Sequence, residues 1–200
     1  MLKYSVLLVA RLVSSLFHPI VLLLPIPYLV IMRVSNNYIQ AIRWTFISWA
    51  FIVIAGLVIL YEVRTGKFTN LDVSRREQRP LLFSLIGITT IVYIFSLIIF
   101  RGPTVLLILA MGVIIGLVFL ELINTKIKAS IHVACVSSIL FALVMLYGLA
   151  YFWLLFLIPF VAWSRIKLHR HSINETLIGA LFGIFLTFLV YAMIEIGLQI

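Results

Sequence analysis

An all-α bundle of membrane-spanning helices, about six to seven of them, is the fold class predicted by this chain, and three observations predict it. Of its 200 residues 64% are hydrophobic and only 10% charged, with a mean hydropathy of +1.26, far outside the make-up of soluble domains. The apolar residues are gathered in runs close to the ~20 needed to cross a hydrocarbon core of ~30 Å. The basic residues fall between those runs. Water is excluded as the main solvent, and the chain reads as an integral, multi-pass membrane protein with one transmembrane domain over 1–200.

The runs lie at about 4–31, 41–63, 81–100, 104–123, 131–148, 149–163 and 174–198, judged by length and by charged or Gly/Pro breaks. The first carries Arg11, His18, Pro19, Pro25 and Pro27 and no small-residue cleavage pattern, so it reads as a retained helix rather than a signal peptide. Residues 131–163 admit one long tilted helix or a tight hairpin at Gly148. With a hairpin, loops 64–80, 124–130 and 164–173 share one face with the N-terminus. That face holds Lys3, Arg64, Lys67, Arg75, Arg76, Arg79, Lys126, Lys128, Arg165, Lys167 and Arg170, against Arg33, Arg43 and Arg101 opposite. The positive-inside rule makes it cytoplasmic. The pairs Gly112/Gly116 and Gly179/Gly183 have the spacing that lets membrane helices approach closely.

The net charge of +9 does not call for nucleic acid, because its cations sit in short loops where orientation in an anionic bilayer accounts for most of them. The single cysteine, Cys135, excludes an intrachain disulfide and a cysteine zinc cage. Lys3, Arg64, Lys67 and Lys167 read as orienting or headgroup-contacting residues. His18 and His169 read as interfacial side chains at headgroup level. Trp44, Tyr61 and Trp163 read as belt anchors.

Three segments carry chemistry. Ser164-Arg165 is followed at Arg170-His171-Ser172-Ile173-Asn174-Glu175 by a histidine and a carboxylate four apart, which share a helix face, so the acid can fix the imidazole's tautomer. Asp72-Val73-Ser74-Arg75-Arg76-Glu77-Gln78-Arg79-Pro80 ends where proline can open a helix. Lys128-Ala129-Ser130-Ile131-His132 also runs directly into a helix. Each places cations, a hydroxyl or a histidine at a helix N-terminus, where free N–H groups and the dipole favour phosphate.

These residues resemble, over roughly 65–185, the type-2 phosphatidic acid phosphatase superfamily, lipid phosphatases related to vanadium-dependent haloperoxidases. Its motifs are Lys-x6-Arg-Pro, Pro-Ser-Gly-His and Ser-Arg-x5-His-x3-Asp. The third is matched in spacing by Ser164, Arg165, His171 and Glu175, with Glu in place of Asp. The first is matched by Arg79-Pro80, with Asp72 standing where the family has lysine. The second is matched by Ser130 and His132, with Ala129 and Ile131 replacing Pro and Gly. The resemblance implies that His171 attacks phosphorus, oriented by Glu175, while His132 protonates the leaving oxygen. It implies phosphate contacts from Arg79 and Arg165, assisted by Ser130 and Lys128, with Arg75 or Arg76 as further sources of the missing cation.

No metal or other cofactor is called for, because fixed cations do the work of a magnesium ion. The expected partners are membrane lipids and a phosphorylated lipid or isoprenoid substrate. Two other functions compete. A magnesium-dependent prenyl or phosphoalcohol transferase needs clustered acids, and the chain has one aspartate, Asp72. A degenerate relative or small transporter would bind an anionic lipid without cleaving it.

Overall fold

In the computed structural model of the protein the backbone is described for residues 2–198 and the side chains for 4–197. Lys3, counted above among the interfacial cations, lies outside the described side chains. The described residues form α-helices and two 3-10 segments, with no strand among them. Among the described residues six helical stretches are long and apolar enough to cross a membrane: Tyr4–Leu23, Tyr38–Arg64, Arg76–Ile99, Thr104–Asn124, Leu149–Lys167 and Ile173–Gly197. The protein is a multi-pass membrane protein by that measure. Its exposed surface is rich in large apolar side chains, such as Ile39, Phe46, Phe95 and Phe188. Its interior holds Ser14, Glu62, Arg79, His132, Ser137 and Arg165. That polarity suits a chain whose solvent is lipid, where polar groups must face inward.

The expected single domain packs as two compact units, Met1–Leu22 with Ile127–Ala192, and Leu23–Lys126 with Met193–Ile200. The division falls within the run expected over 4–31, which is broken into α1 (Leu2–Leu16), α2 (Pro19–Leu23) and α3 (Ile26–Ser35). Proline is the reason. It lacks an N–H and pushes the preceding residue out of the helical region, so α1 ends before His18-Pro19. The His18 ring then caps the next helix, its Nδ1 accepting the Ile20 amide at 3.3 Å.

In the second unit α3, α4 (Tyr38–Arg64), α5 (Arg79–Ile99) and α6 (Thr104–Asn124) pack in succession, and α3 also meets α6. Asn36 turns left-handed at φ 48°, and Asn37 caps α4 by accepting the Gln40 amide at 2.9 Å. Across α4 and α5, Ser48 Oγ and Tyr93 OH lie 2.6 Å apart. Such a tie between membrane helices contributes about 0.6 kcal/mol on average.

The first unit holds α1, α7 (Ile131–Tyr147), a 3-10 segment Leu149–Phe156, α8 (Leu157–Lys167) and most of α9 (Ile173–Leu198). Of the two readings of 131–163, the hairpin is the one found. Gly148 sits at φ 98°, ψ 173°, a conformation essentially confined to glycine, and α7 packs against both segments that follow it. The expected straight span 149–163 is instead a 3-10 turn running into α8. Pro159 lies in the first turn of α8, where its missing N–H costs least. Val133, Val136 and Leu140 of α7 and Val161 of α8 form the unit's buried core. The α9 glycines expected to allow close approach do so. A Cβ on Gly179 would lie 2.6 Å from the Ser130 carbonyl oxygen, and one on Gly183 would overlap Ser137 Oγ and the Ala134 carbonyl.

Candidate functional site

The C-terminal end of α8 is built by a Schellman turn. His169 adopts the left-handed conformation (φ 54°), its amide donates to the Ile166 carbonyl at 2.9 Å, and the Arg170 amide donates to the Arg165 carbonyl at 3.0 Å. The His171 amide reaches the same Arg165 carbonyl at 3.4 Å. The arginine of the third motif thus folds the loop that presents the histidine. Its side chain is 1% exposed, with Nη1 donating to Ser14 Oγ of α1 at 2.6 Å. Ser164, its neighbour, is spent on its own helix, Oγ donating to the Val161 carbonyl at 2.8 Å.

The chain then enters α9 through a capping box, Ser172-x-x-Glu175. The Glu175 amide donates to Ser172 Oγ at 3.3 Å, and Glu175 Oε2 accepts the Ser172 amide at 3.2 Å. That same Oε2 lies 2.8 Å from His171 Nδ1. The His171 side chain is only 4% exposed. A carboxylate accepts only, so this contact places a proton on Nδ1 and leaves Nε2 as the basic nitrogen. Sequence spacing foresaw the histidine–carboxylate pair. The capping box was equally legible, in a serine three residues before the glutamate, and was missed.

Lys128 and Ser130 reach this helix start from the loop before α7. Lys128 Nζ donates to the Arg170 carbonyl at 3.0 Å and lies 3.9 Å from Glu175 Oε2. The Ser130 amide donates to the Glu175 carbonyl at 2.9 Å. Ser130 is the N-cap of α7, but its hydroxyl caps nothing; Oγ is fully buried without a hydrogen-bond partner among the described residues. Two residues on, buried His132 meets the His18 ring edge to face, with centroids 4.9 Å apart. His18, expected to be a headgroup-level residue, is therefore half-buried against a candidate site residue. No feature of a sequence so far from residue 132 announces that contact.

Lys128, Ser130, His132, Arg165, His171 and Glu175 all belong to the first unit, at the starts of α7 and α9 and the end of α8. Two helix N-termini lie side by side there, each with the positive end of its dipole and first-turn amides. A lysine stands beside them. That arrangement can hold an oxyanion and can present a tautomerically fixed imidazole.

Asp72, Arg75, Arg76 and Arg79 belong to the second unit. Arg79 opens α5 directly before Pro80, as expected, and is 2% exposed; its Nη1 donates to Asn124 Oδ1 at 3.5 Å. Arg76 Nε donates to the Asn124 backbone carbonyl at 2.5 Å, and Asn124 Nδ2 returns a bond to the Arg76 carbonyl at 3.4 Å. Arg75 is exposed and Asp72 half-buried. Between them Val73 is fully buried with φ 43°, an outlier for a β-branched residue.

Comparison of the chain with family models, with curated proteins and with solved structures finds no match.

Proposed function

We propose that the chain is a metal-independent membrane lipid phosphatase, hydrolysing a phosphomonoester or diphosphate of a lipid or isoprenoid through a phosphohistidine. The observation that supports it most is the 2.8 Å contact between His171 Nδ1 and Glu175 Oε2 beside two helix N-termini and Lys128. The Nε2 lone pair attacks phosphorus. The P–O bond to the leaving alkoxide breaks with its electron pair on oxygen, which takes a proton from His132. Water then attacks the phosphohistidine, gives its proton to His132 and frees His171. Lys128, Ser130 Oγ and first-turn amides stabilise the equatorial oxygens, while Arg165 positions the loop before His171 through its backbone carbonyl. The reading sets this chemistry at the cytoplasmic face, in keeping with the excess of basic residues in the loops and the positive-inside rule.

A second reading draws on different contacts. Arg165 is tied to Ser14 and Glu175 serves a capping box, so the cluster would equally suit a catalytically degenerate member or small transporter that binds an anionic lipid uncleaved. Trapping separates the two. Purified protein incubated with a lipid phosphate labelled on phosphorus should acquire label that is stable to alkali and lost in acid, as expected of phosphohistidine. Stoichiometric lipid binding with no such label sinks the phosphatase reading and leaves the binder.

A further inference from the structure

A cavity of about 410 Å³ opens at the other end of the second unit, away from its basic loop, where α4 begins and α5 ends. Asn37, Gln40, Arg43, Trp44, Phe100 and Arg101 line it. Two of these are cations and none is acidic. Neither Arg43 nor Arg101 has a carboxylate partner among the described residues, and both are exposed. Arg43 lies over the Trp44 ring, with Cζ 5.8 Å from its centroid.

The backbone holding Arg101 is the sharper observation. α5 ends in a Schellman turn, in which the Gly102 amide donates to the Leu97 carbonyl at 2.7 Å and the Arg101 amide to the Ile98 carbonyl at 3.3 Å. Arg101 occupies the left-handed position at φ 51°, which is most often glycine. The chain has a glycine one residue later instead, and uses it for packing: a Cβ on Gly102 would lie 2.5 Å from Leu97 Cδ2 and 2.9 Å from Trp44 Cη2. The turn is thereby pressed onto Trp44 with a strained arginine at the cavity mouth. A positive side chain at a helix C-terminus is favourable, but any non-strained position in the last turn would satisfy that. Strain retained at a cavity lined by a second unpaired cation points to a ligand.

We propose that this cavity binds a phosphate-ester oxyanion between Arg43 and Arg101, with Asn37 and Gln40 supplying side-chain amide groups at its wall. Guanidinium forks match phosphate oxygens in pairs. Exposed Ile39 and Phe100 at the rim are 78% and 65% accessible and would lie along an acyl chain, so the same chemistry fits a phospholipid headgroup or a soluble phosphate ester. Every residue in it belongs to the second unit.

The test measures phospholipid adducts on the full purified chain in detergent by native mass spectrometry. Phosphatidylglycerol is offered against phosphatidylcholine, with and without glycerol phosphate as competitor. Arg101→Gly relieves the strain, so the variant should be at least as heat-stable as wild type while binding phosphatidylglycerol about tenfold more weakly. Arg43→Gln should weaken binding similarly. Lys126→Gln, just past the far end of α6, should leave it unchanged. Loss of phosphatidylglycerol adducts that glycerol phosphate does not displace supports a lipid ligand, and displacement by glycerol phosphate supports a soluble one. If Arg101→Gly and Arg43→Gln bind like wild type, or if Lys126→Gln weakens binding as much as they do, the proposal is overturned.

Discussion

The backbone amide of Ser130 donates to the backbone carbonyl of Glu175 at 2.9 Å, so the entrances of α7 and α9 are fastened to each other residue to residue. His132 follows the first of these residues and His171 precedes the second. Whatever displaces one helix start displaces the other, and the proposed division of labour between the histidines depends on that joint.

His171→Ala should abolish the phosphoenzyme with every substrate, whatever its leaving group. His132→Ala should slow cleavage of a lipid phosphate by about 10²–10⁴-fold yet be partly rescued on an aryl phosphate, whose phenol leaves without a proton. Steady-state rates on both substrates check this. Retention of a phosphoenzyme by His171→Ala would remove it as nucleophile.

Glu175→Gln separates charge from capping. Glutamine satisfies a capping box as well as glutamate, so thermal stability should hold, while turnover falls because the charge that stabilises an imidazolium at His171 is gone. Activity equal to wild type in a stably folded Glu175→Gln would mean that the carboxylate serves the helix alone.

Metal independence follows from the use of Lys128 and helix ends as the counter-charge. Dephosphorylation should survive excess EDTA, and vanadate should inhibit as a mimic of the phosphoryl transition state. Activity lost to EDTA and restored by magnesium would favour a transferase with a metal-held diphosphate.

The close contact of α9 with α7 makes Gly179 sensitive. In Gly179→Ala the new methyl meets the Ser130 backbone, which cannot yield as a side-chain tip would. A loss of about 1–3 kcal/mol is expected, read as a lowered thermal midpoint, with activity falling further because Ser130 is the residue pushed. An unchanged midpoint would show that the helices stand further apart.

His169→Gly tests the opposite kind of site. The left-handed conformation there costs a non-glycine residue roughly 1–2 kcal/mol, partly offset by the extra freedom glycine has when unfolded. A rise in thermal midpoint with phosphatase activity preserved is the expected pair of results. A loss of activity would give the imidazole at 169 a part it is not assigned here.

How much of this was legible beforehand varies with the length scale of the cause. Span lengths were readable because lipid imposes a minimum on each crossing, whereas the turn at Gly148 was only one of two readings, reached by the side on which a hairpin puts the basic loops, and the φ of 98° there is seen only in the structure. The pairing of His171 with Glu175 was readable from its four-residue spacing, although the shared helix face expected of it is not found: His171 lies just before α9, and the capping turn brings it to the carboxylate. The splitting of 4–31 was under-read, although Pro19, Pro25 and Pro27 were in view, because hydropathy stayed high across them. The bond from Arg165 to Ser14 joins residues 151 apart in sequence and comes from α1 packing on α8, which no local pattern encodes. The left-handed Val73 was hidden for a related reason: its environment, not its own preference, sets its backbone.

Glu175 Oε2 receives both the Ser172 amide and His171 Nδ1, and this sharing makes the readiness of the imidazole a matter of local melting. Fraying of one turn at the start of α9 releases the oxygen from both donors together, long before the bundle itself comes apart. The fraction of molecules with an oriented His171 is therefore the fraction in which that single turn is wound, and deuterium uptake at one backbone amide, that of Ser172, reports it.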